Sequence, residues 1–294
     1  NCKACRAEVP LLKTRWLAKK DNKRVVLTMR PRADRSGVEF GIDADAKVQG
    51  GNAAQRREFD KKLGQGTMSR SGVTCPCCGT IMTMEDLRLA GRTDRLGAAI
   101  PAVVVDGMAG KEYRLPTTHE VEVARSAGAQ VERAFSAVPF GLPTEKLAGA
   151  DALGFRVPLY GLDCWHKIYS PRQLVALACF VDAIRQARQT LSTSGYDEAE
   201  VEALSAFLQC GFDRMLDFNS SILAWITSVE AIGHTFVRFA LPMNWDFSEA
   251  APINGVRGGG GGGGGAVGGA VGRIPGAADP LAPPAHGVNQ RGNA

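Results

Sequence analysis

Cys2-Lys3-Ala4-Cys5 and Cys75-Pro76-Cys77-Cys78-Gly79 are the two stretches from which the fold is read. Each sets two thiols at C-x-x-C spacing, so that one tight turn can aim both at a single ion. Together Cys2, Cys5, Cys75 and Cys78 supply the four soft ligands of a closed tetrahedral zinc site. Four protein ligands leave no open coordination position, so such a zinc is structural and not catalytic. Cys77 sits inside the second knuckle with no cysteine partner at Thr74 and is left out of the ligand set. A redox role for the pairs fits poorly, because they are far apart and no βαβ pattern surrounds them. Zinc held in this way contributes about 10–16 kcal/mol, as an apparent value, to local folding.

Working outward, the 69 residues between Cys5 and Cys75 greatly exceed the ~15–20 of a compact ribbon, so the hairpin carries an insertion. Within it, 24–29 (RVVLTM) and 37–42 (GVEFGI) read as short strands and 56–63 as a short helix. After the second knuckle, 83–90 reads as a helix with acid in its first turn. Residues 101–106 and 113–115 read as a hairpin across Gly107–Gly110, and 118–136 as a helix. Ser170-Pro171 starts a strong helix with Leu174, Leu177, Ala178, Val181 and Ile184 on one face. A second helix runs from about Asp197, with Val201, Leu204, Phe207, Leu208, Phe212 and Met215 expected inward. Thr227-Ser228-Val229-Glu230 matches a capping box and predicts a third helix through Ile232, Phe236 and Phe239 to Pro242. From Gly258 a run of eight glycines opens a Gly-, Ala- and Pro-rich tail, read as disordered.

The expected class is therefore α+β: a zinc ribbon with small β elements, then a helical subdomain, then a disordered tail. The expected divisions are 1–100 (ribbon with a basic insertion), 101–160 (a small α/β connector), 161–254 (three helices) and 255–294 (tail).

Charge is unevenly placed. Residues 1–100 hold 20 Lys and Arg against 11 Asp and Glu; residues 101–294 hold 15 against 19. A basic first third suits contact with nucleic acid, and equally a solvated basic surface. Lys13, Arg15, Lys19, Lys20, Lys23 and Arg24 with Trp16 form the candidate phosphate-contacting stretch, with Trp16 free to stack on a base. The other reading of the same residues is a solvated loop around a core tryptophan. Asp163-Cys164-Trp165-His166 reads as a loop anchored by Trp165, and His234 as structural. Asn219-Ser220-Ser221 with Trp225 is either a ligand contact or helix punctuation. The eight cysteines are too unevenly spread for a secreted disulfide framework, no apolar run is long enough to span a membrane, and no signal peptide is visible; a reducing cytoplasmic setting follows. There is no Asp/Asn-Pro-Pro-Tyr/Phe, no Gly-x-Gly-x-x-Gly after a strand, no His-Glu-x-x-His and no triad, and the glycine run lacks the Lys-Ser/Thr of a phosphate loop.

The ordered series of segments resembles a family of bacterial and archaeal adenine-specific DNA methylases that contain a zinc ribbon and carry an N-terminal domain of unknown function. The segments are residues 2–12 with Trp16-Leu17-Ala18-Lys19-Lys20, then Cys75-Pro76-Cys77-Cys78-Gly79, Tyr160-Gly161-Leu162 and Ser170-Pro171-Arg172-Gln173-Leu174. Asp217-Phe218-Asn219-Ser220-Ser221 and 240–247 (ALPMNWDF) complete the series. The resemblance spans roughly residues 1–254. It implies that the S-adenosylmethionine loop precedes this stretch and the catalytic Asp-Pro-Pro-Tyr follows it, so that the chain is a middle insertion engaging DNA or bracing the rest of the methyltransferase. Asn1 in place of Met, with a ligand already at position 2, is read as the mark of a fragment. The alternatives are a stand-alone zinc-ribbon module binding nucleic acid or protein, and a structural adaptor in a defence or restriction assembly.

Overall fold

Val25, Val26 and Leu27 lie buried in the middle of the first sheet, where β-branched and leucine side chains fill both faces. That sheet comprises β1 (Trp16–Lys20), β2 (Lys23–Pro31) and β3 (Val38–Asp43), antiparallel in the order β1-β2-β3. The structure, a computed structural model, describes residues 1–237, 239–252 and 269–270. One face of the sheet packs Leu17, Val25 and Leu27 against Ala102; the other packs Trp16 and Val26 against Ala46 and Leu63. Leu63 ends α1 (Ala53–Leu63), an otherwise solvent-facing helix that starts with a reciprocal Asn52–Gln55 cap. β1–β3 and α1 are thus what occupies the long interval between the knuckles.

The second knuckle is the loop of a hairpin formed by β4 (Gly72–Thr74) and β5 (Ile81–Thr83). Thr83 then caps α2 (Met84–Arg92), exchanging hydrogen bonds with Asp86. β6 (Val103–Gly107) and β7 (Gly110–Arg114) form the next hairpin. The helix expected over 118–136 is interrupted: α3 (Thr118–Ser126) and α4 (Val131–Phe135) flank a 3-10 turn at Ala127–Gln130 that contains Gly128. α5 (Pro171–Thr193) and α6 (Glu198–Asp217) form an antiparallel pair; α5 starts at its expected cap Ser170, and α6 starts near the expected place, capped by Asp197. The chain is mixed α+β with small antiparallel sheets. No helix among the described residues is long and apolar enough to cross a membrane.

The expected third helix is not there. Residues 225–232 form a hairpin, β8 (Trp225–Ile226) against β9 (Ala231–Ile232). Glu230 has φ +54, which a right-handed helix cannot contain, and its N–H donates back to Ile226 O at 2.8 Å. The Thr-x-x-Glu pattern marks a turn because the Glu230 carboxylate bonds Lys20, Lys23 and Tyr113. The three-helix subdomain is therefore a helical pair plus a hairpin. One consequence falls on α6. Val201 and Met215 are buried as expected, but Phe207 is 76% exposed, and Leu204 and Leu208 are also exposed, since no third helix covers them.

Long-range bonds tie the first hundred residues to the last third. Trp225 Nε1 donates to Leu17 O at 2.6 Å, Lys19 N to Thr227 O at 3.0 Å, and Lys13 N to Asp246 Oδ2 at 3.0 Å. The tail expected at 255–294 lies outside the described residues, apart from β11 (Gly269–Ala270), which pairs with β10 (Glu249–Ala250).

Candidate metal centre

Each knuckle closes a tight turn with its own backbone. Arg6 N donates to Cys2 O at 3.0 Å and Gly79 N to Cys75 O at 2.9 Å, so that both turns end on a residue in the left-handed region, at φ +64 and +76. Cys2 N also donates to Ala7 O and Cys75 N to Thr80 O. Ala7, Val73, Met82, Leu87 and Tyr160 pack around the buried Cys2 and Cys75, while Cys78 faces solvent. Lys3 Nζ, 2.8 Å from Asp86 Oδ2, pins the first knuckle to the start of α2.

The four sulfurs converge. Cys2 Sγ lies 3.6 Å from Cys78 Sγ and Cys5 Sγ 3.7 Å from Cys75 Sγ; all four lie within 4.8 Å of one another. A disulfide needs about 2.05 Å, so these are free thiols. Sulfurs about 2.3 Å from a tetrahedral ion stand roughly 3.8 Å apart, and the two pairs at 3.6 and 3.7 Å are close to that spacing. The four side chains fit one metal ion, and two sequence-distant turns are brought together to make the set.

The sulfurs also perturb one another's titration. Hydrogen bonds from the Thr80 hydroxyl and then the Thr80 backbone N–H hold the Cys78 thiol down to about 6. At Cys5 the Ala7 N–H favours the thiolate, but burial and the three sulfur neighbours together push the thiol up to about 12. Burial pushes Cys75 up as well. Four thiolates cannot share this space without a positive ion to offset them. Cys77, the cysteine left out of the set, instead directs its sulfur at Gly37 O, 3.3 Å away.

The basic stretch behaves differently. Arg24 forks onto the Asp60 carboxylate and stacks 4.8 Å from the centre of the Trp16 ring; Lys19 reaches the same carboxylate at 3.0 Å. These partners, Arg24 first, hold Asp60 below the usual carboxylate range. Lys20 and Lys23 both pair with Glu230, whose burial is outweighed by the two cations and the Tyr113 hydroxyl, so it stays below its ordinary value. Lys13 Nζ donates to Asn244 Oδ1 at 2.7 Å, and Arg15 Nε to Gln65 O at 2.8 Å. Trp16 is buried and donates to Asp60 O. All seven residues of the stretch thus have partners within the chain, among them α1, β7 and the β8–β9 turn, while Lys13 and Lys19 stay exposed.

The remaining candidates stay separate. His166 Nδ1 is 2.8 Å from Pro143 O, and Trp165 packs among Leu147, Phe155 and Ile168. His234 Nδ1 pairs with Asp217 Oδ2 at 2.6 Å in a loop, not on a helix. Asn219 and Ser220 are buried and bond Gln173 and Thr235. The sequence reading passed over three exposed arginines beside the cysteines, Arg6, Arg32 and Arg35, which line one cavity of about 560 Å³ with Cys5. Nothing in their spacing marks them, because Arg6 meets Arg32 and Arg35 only where the first cysteine turn packs on the β2–β3 turn.

No family model matches this chain, and neither a curated protein nor a solved structure does.

Proposed function

We propose that this chain is a non-catalytic, zinc-stabilised module that engages DNA within an adenine-specific DNA methyltransferase. The observation that carries the metal part is the convergence of Cys2, Cys5, Cys75 and Cys78, whose sulfurs all lie within 4.8 Å of one another. Four thiolates are a donor set for zinc, and with all four positions filled by protein the ion braces a ribbon-like arm and activates no water. Methylase membership rests on the ordered series of segments set out above. In that setting the cofactor loop and the Asp-Pro-Pro-Tyr motif belong to other parts of the polypeptide, and this module supplies contacts.

Metal analysis of the purified chain should give one zinc per chain, and Cys2→Ser or Cys75→Ser should give none; a full-length, folded protein without metal would sink the reading. Labelled S-adenosylmethionine with DNA should show no methyl transfer by this chain alone, and turnover would refute the non-catalytic assignment. A second reading, a protein-binding module, is favoured by the exposed Leu204, Phe207 and Leu208 on α6.

A further inference from the structure

Of the cations that the sequence singles out, Lys19, Lys20, Lys23 and Arg24 are paired with Asp60 and Glu230, and Lys13 and Arg15 donate to neutral oxygens, so a second set of cations is the better place for a polyanion. Arg6, Arg32 and Arg35 are that set. They come from two places, the first cysteine turn and the β2–β3 turn, which are joined by Glu8 N donating to Ser36 O at 2.7 Å. All three line the same open cavity of about 560 Å³. All three are exposed. Arg6 and Arg35 make no side-chain hydrogen bond or ion pair among the described residues, and Arg32 reaches the Ser36 hydroxyl at 3.5 Å and, behind the Ser36 N–H, helps to lower the Asp34 carboxyl.

The backbone carries a second, independent observation. Arg6 and Arg35 both have positive φ, +64 and +57. A left-handed backbone disfavours any residue with a Cβ and suits glycine. The second cysteine turn shows that choice, with Gly79 at the position where the first turn has Arg6. Among the described residues, two of the five non-glycine residues at positive φ are therefore arginines lining one cavity, where glycine would relieve strain. Strained residues that persist beside a cleft point to a use for their side chains.

Two carboxylates share the rim, Glu8 and Asp34. Asp34 is occupied locally, accepting from Ser36 N at 2.9 Å. Three guanidiniums against two carboxylates leave a small positive excess with its donors unfilled, arranged as planar forks that match phosphate oxygens.

We propose that Arg6, Arg32 and Arg35 form a phosphodiester-binding cradle beside the cysteine centre, through which the module holds the DNA backbone. This rests on the DNA-engaging reading above. The cradle reads charge and not sequence, so single- and double-stranded DNA both bind, with strong salt dependence.

The test uses the full, zinc-loaded chain and fluorescein-labelled DNA of random sequence, with anisotropy followed across roughly 50–300 mM salt. The Arg6→Gly/Arg32→Ala/Arg35→Gly triple variant should lower the magnitude of the log–log salt slope by about 2–3. Glu8→Gln should tighten binding. Arg6→Gly alone should weaken binding while leaving Tm equal or higher, which a merely structural arginine would not do. Arg57→Ala, on the exposed face of α1, should change binding less than Arg6→Gly. If the unmodified chain fails to bind DNA at low salt, both the cradle and the DNA reading fall. If it binds and the triple variant keeps its affinity and slope, the cradle alone falls. If the triple variant loses zinc affinity and keeps DNA binding, the arginines serve to offset the thiolates, and the cradle is overturned.

Discussion

The first cysteine turn, Cys2 to Arg6, and the second, Cys75 to Gly79, share one backbone. Each starts with a buried cysteine, closes with an N–H donated four residues back, and ends at positive φ. Their supports differ. The second turn is the loop of the β4–β5 hairpin and continues directly into α2. The first has no strand of its own and is held by the Lys3–Asp86 pair, by Glu8 N to Ser36 O and by its share of the sulfur cluster. The same cysteine turn is thus built once on a hairpin and once on an arm without a strand, and a bound ion is expected to matter more to the arm.

Removing the metal is the strongest way to break that comparison. Chelation should forfeit about 10–16 kcal/mol of apparent binding energy. Residues 1–12 should lose amide-exchange protection first, the 72–83 hairpin next, and β1–β3 least, since that sheet has its own core on both faces. Equal loss in all three would show that the two turns are not differently supported.

Next in size is Glu230→Ala, which strands two lysines and a tyrosine hydroxyl that now meet on a buried carboxylate. Loss of about 3–5 kcal/mol is expected from denaturant unfolding. Zinc content should survive, because none of these groups touches the cysteine turns. Loss of zinc along with stability would mean that the metal end and the Glu230 end fold as one unit.

Acid should separate the turns further. Protons compete with the metal for sulfur, so affinity falls as pH falls. At pH 7.5 Cys5, pushed up to about 12, and Cys75, also raised, give up protons when metal binds. Cys78, held at about 6, adds a further proton only below that pH, where the affinity should drop more steeply. Thr80→Val removes the hydroxyl that lowers Cys78 and should move this break upward; zinc competition across pH 5–8 (on the order of one pH unit resolves it) checks the sign. An unmoved break would show that Thr80 does not set it.

The smallest effects exchange the closing residues. Gly79→Ala, at φ +76, should cost about 1 kcal/mol, whereas Arg6→Gly, at φ +64, should be neutral or gain up to about 1 kcal/mol in thermal unfolding. A loss on Arg6→Gly would mean that the guanidinium supports the turn after all.

The helix starts were the most legible part of the fold. Thr83, Thr117, Ser170 and Asp197 each carry a local, reciprocal cap, and capping needs only four residues. Thr227-x-x-Glu230 has the same pattern and fails, because Glu230 finds Lys20 and Lys23 more than two hundred residues away in the chain. Local pattern cannot register a partner at that separation. The basic stretch failed to foretell its contacts for the same reason. Asp60, on α1, and Glu230, in the β8–β9 turn, supply the counter-charges, and nothing near residues 13–24 announces either.

What the sequence by itself determined is the donor set and its local geometry. Two C-x-x-C turns specify four thiols in pairs, since a turn is closed by its own backbone. What only the tertiary structure decided is which carboxylates pair with the cations of 13–24, and that Arg6, Arg32 and Arg35 are left facing solvent together. Those outcomes depend on which distant surfaces pack and which charges find partners, and neither quantity is written in residue spacing.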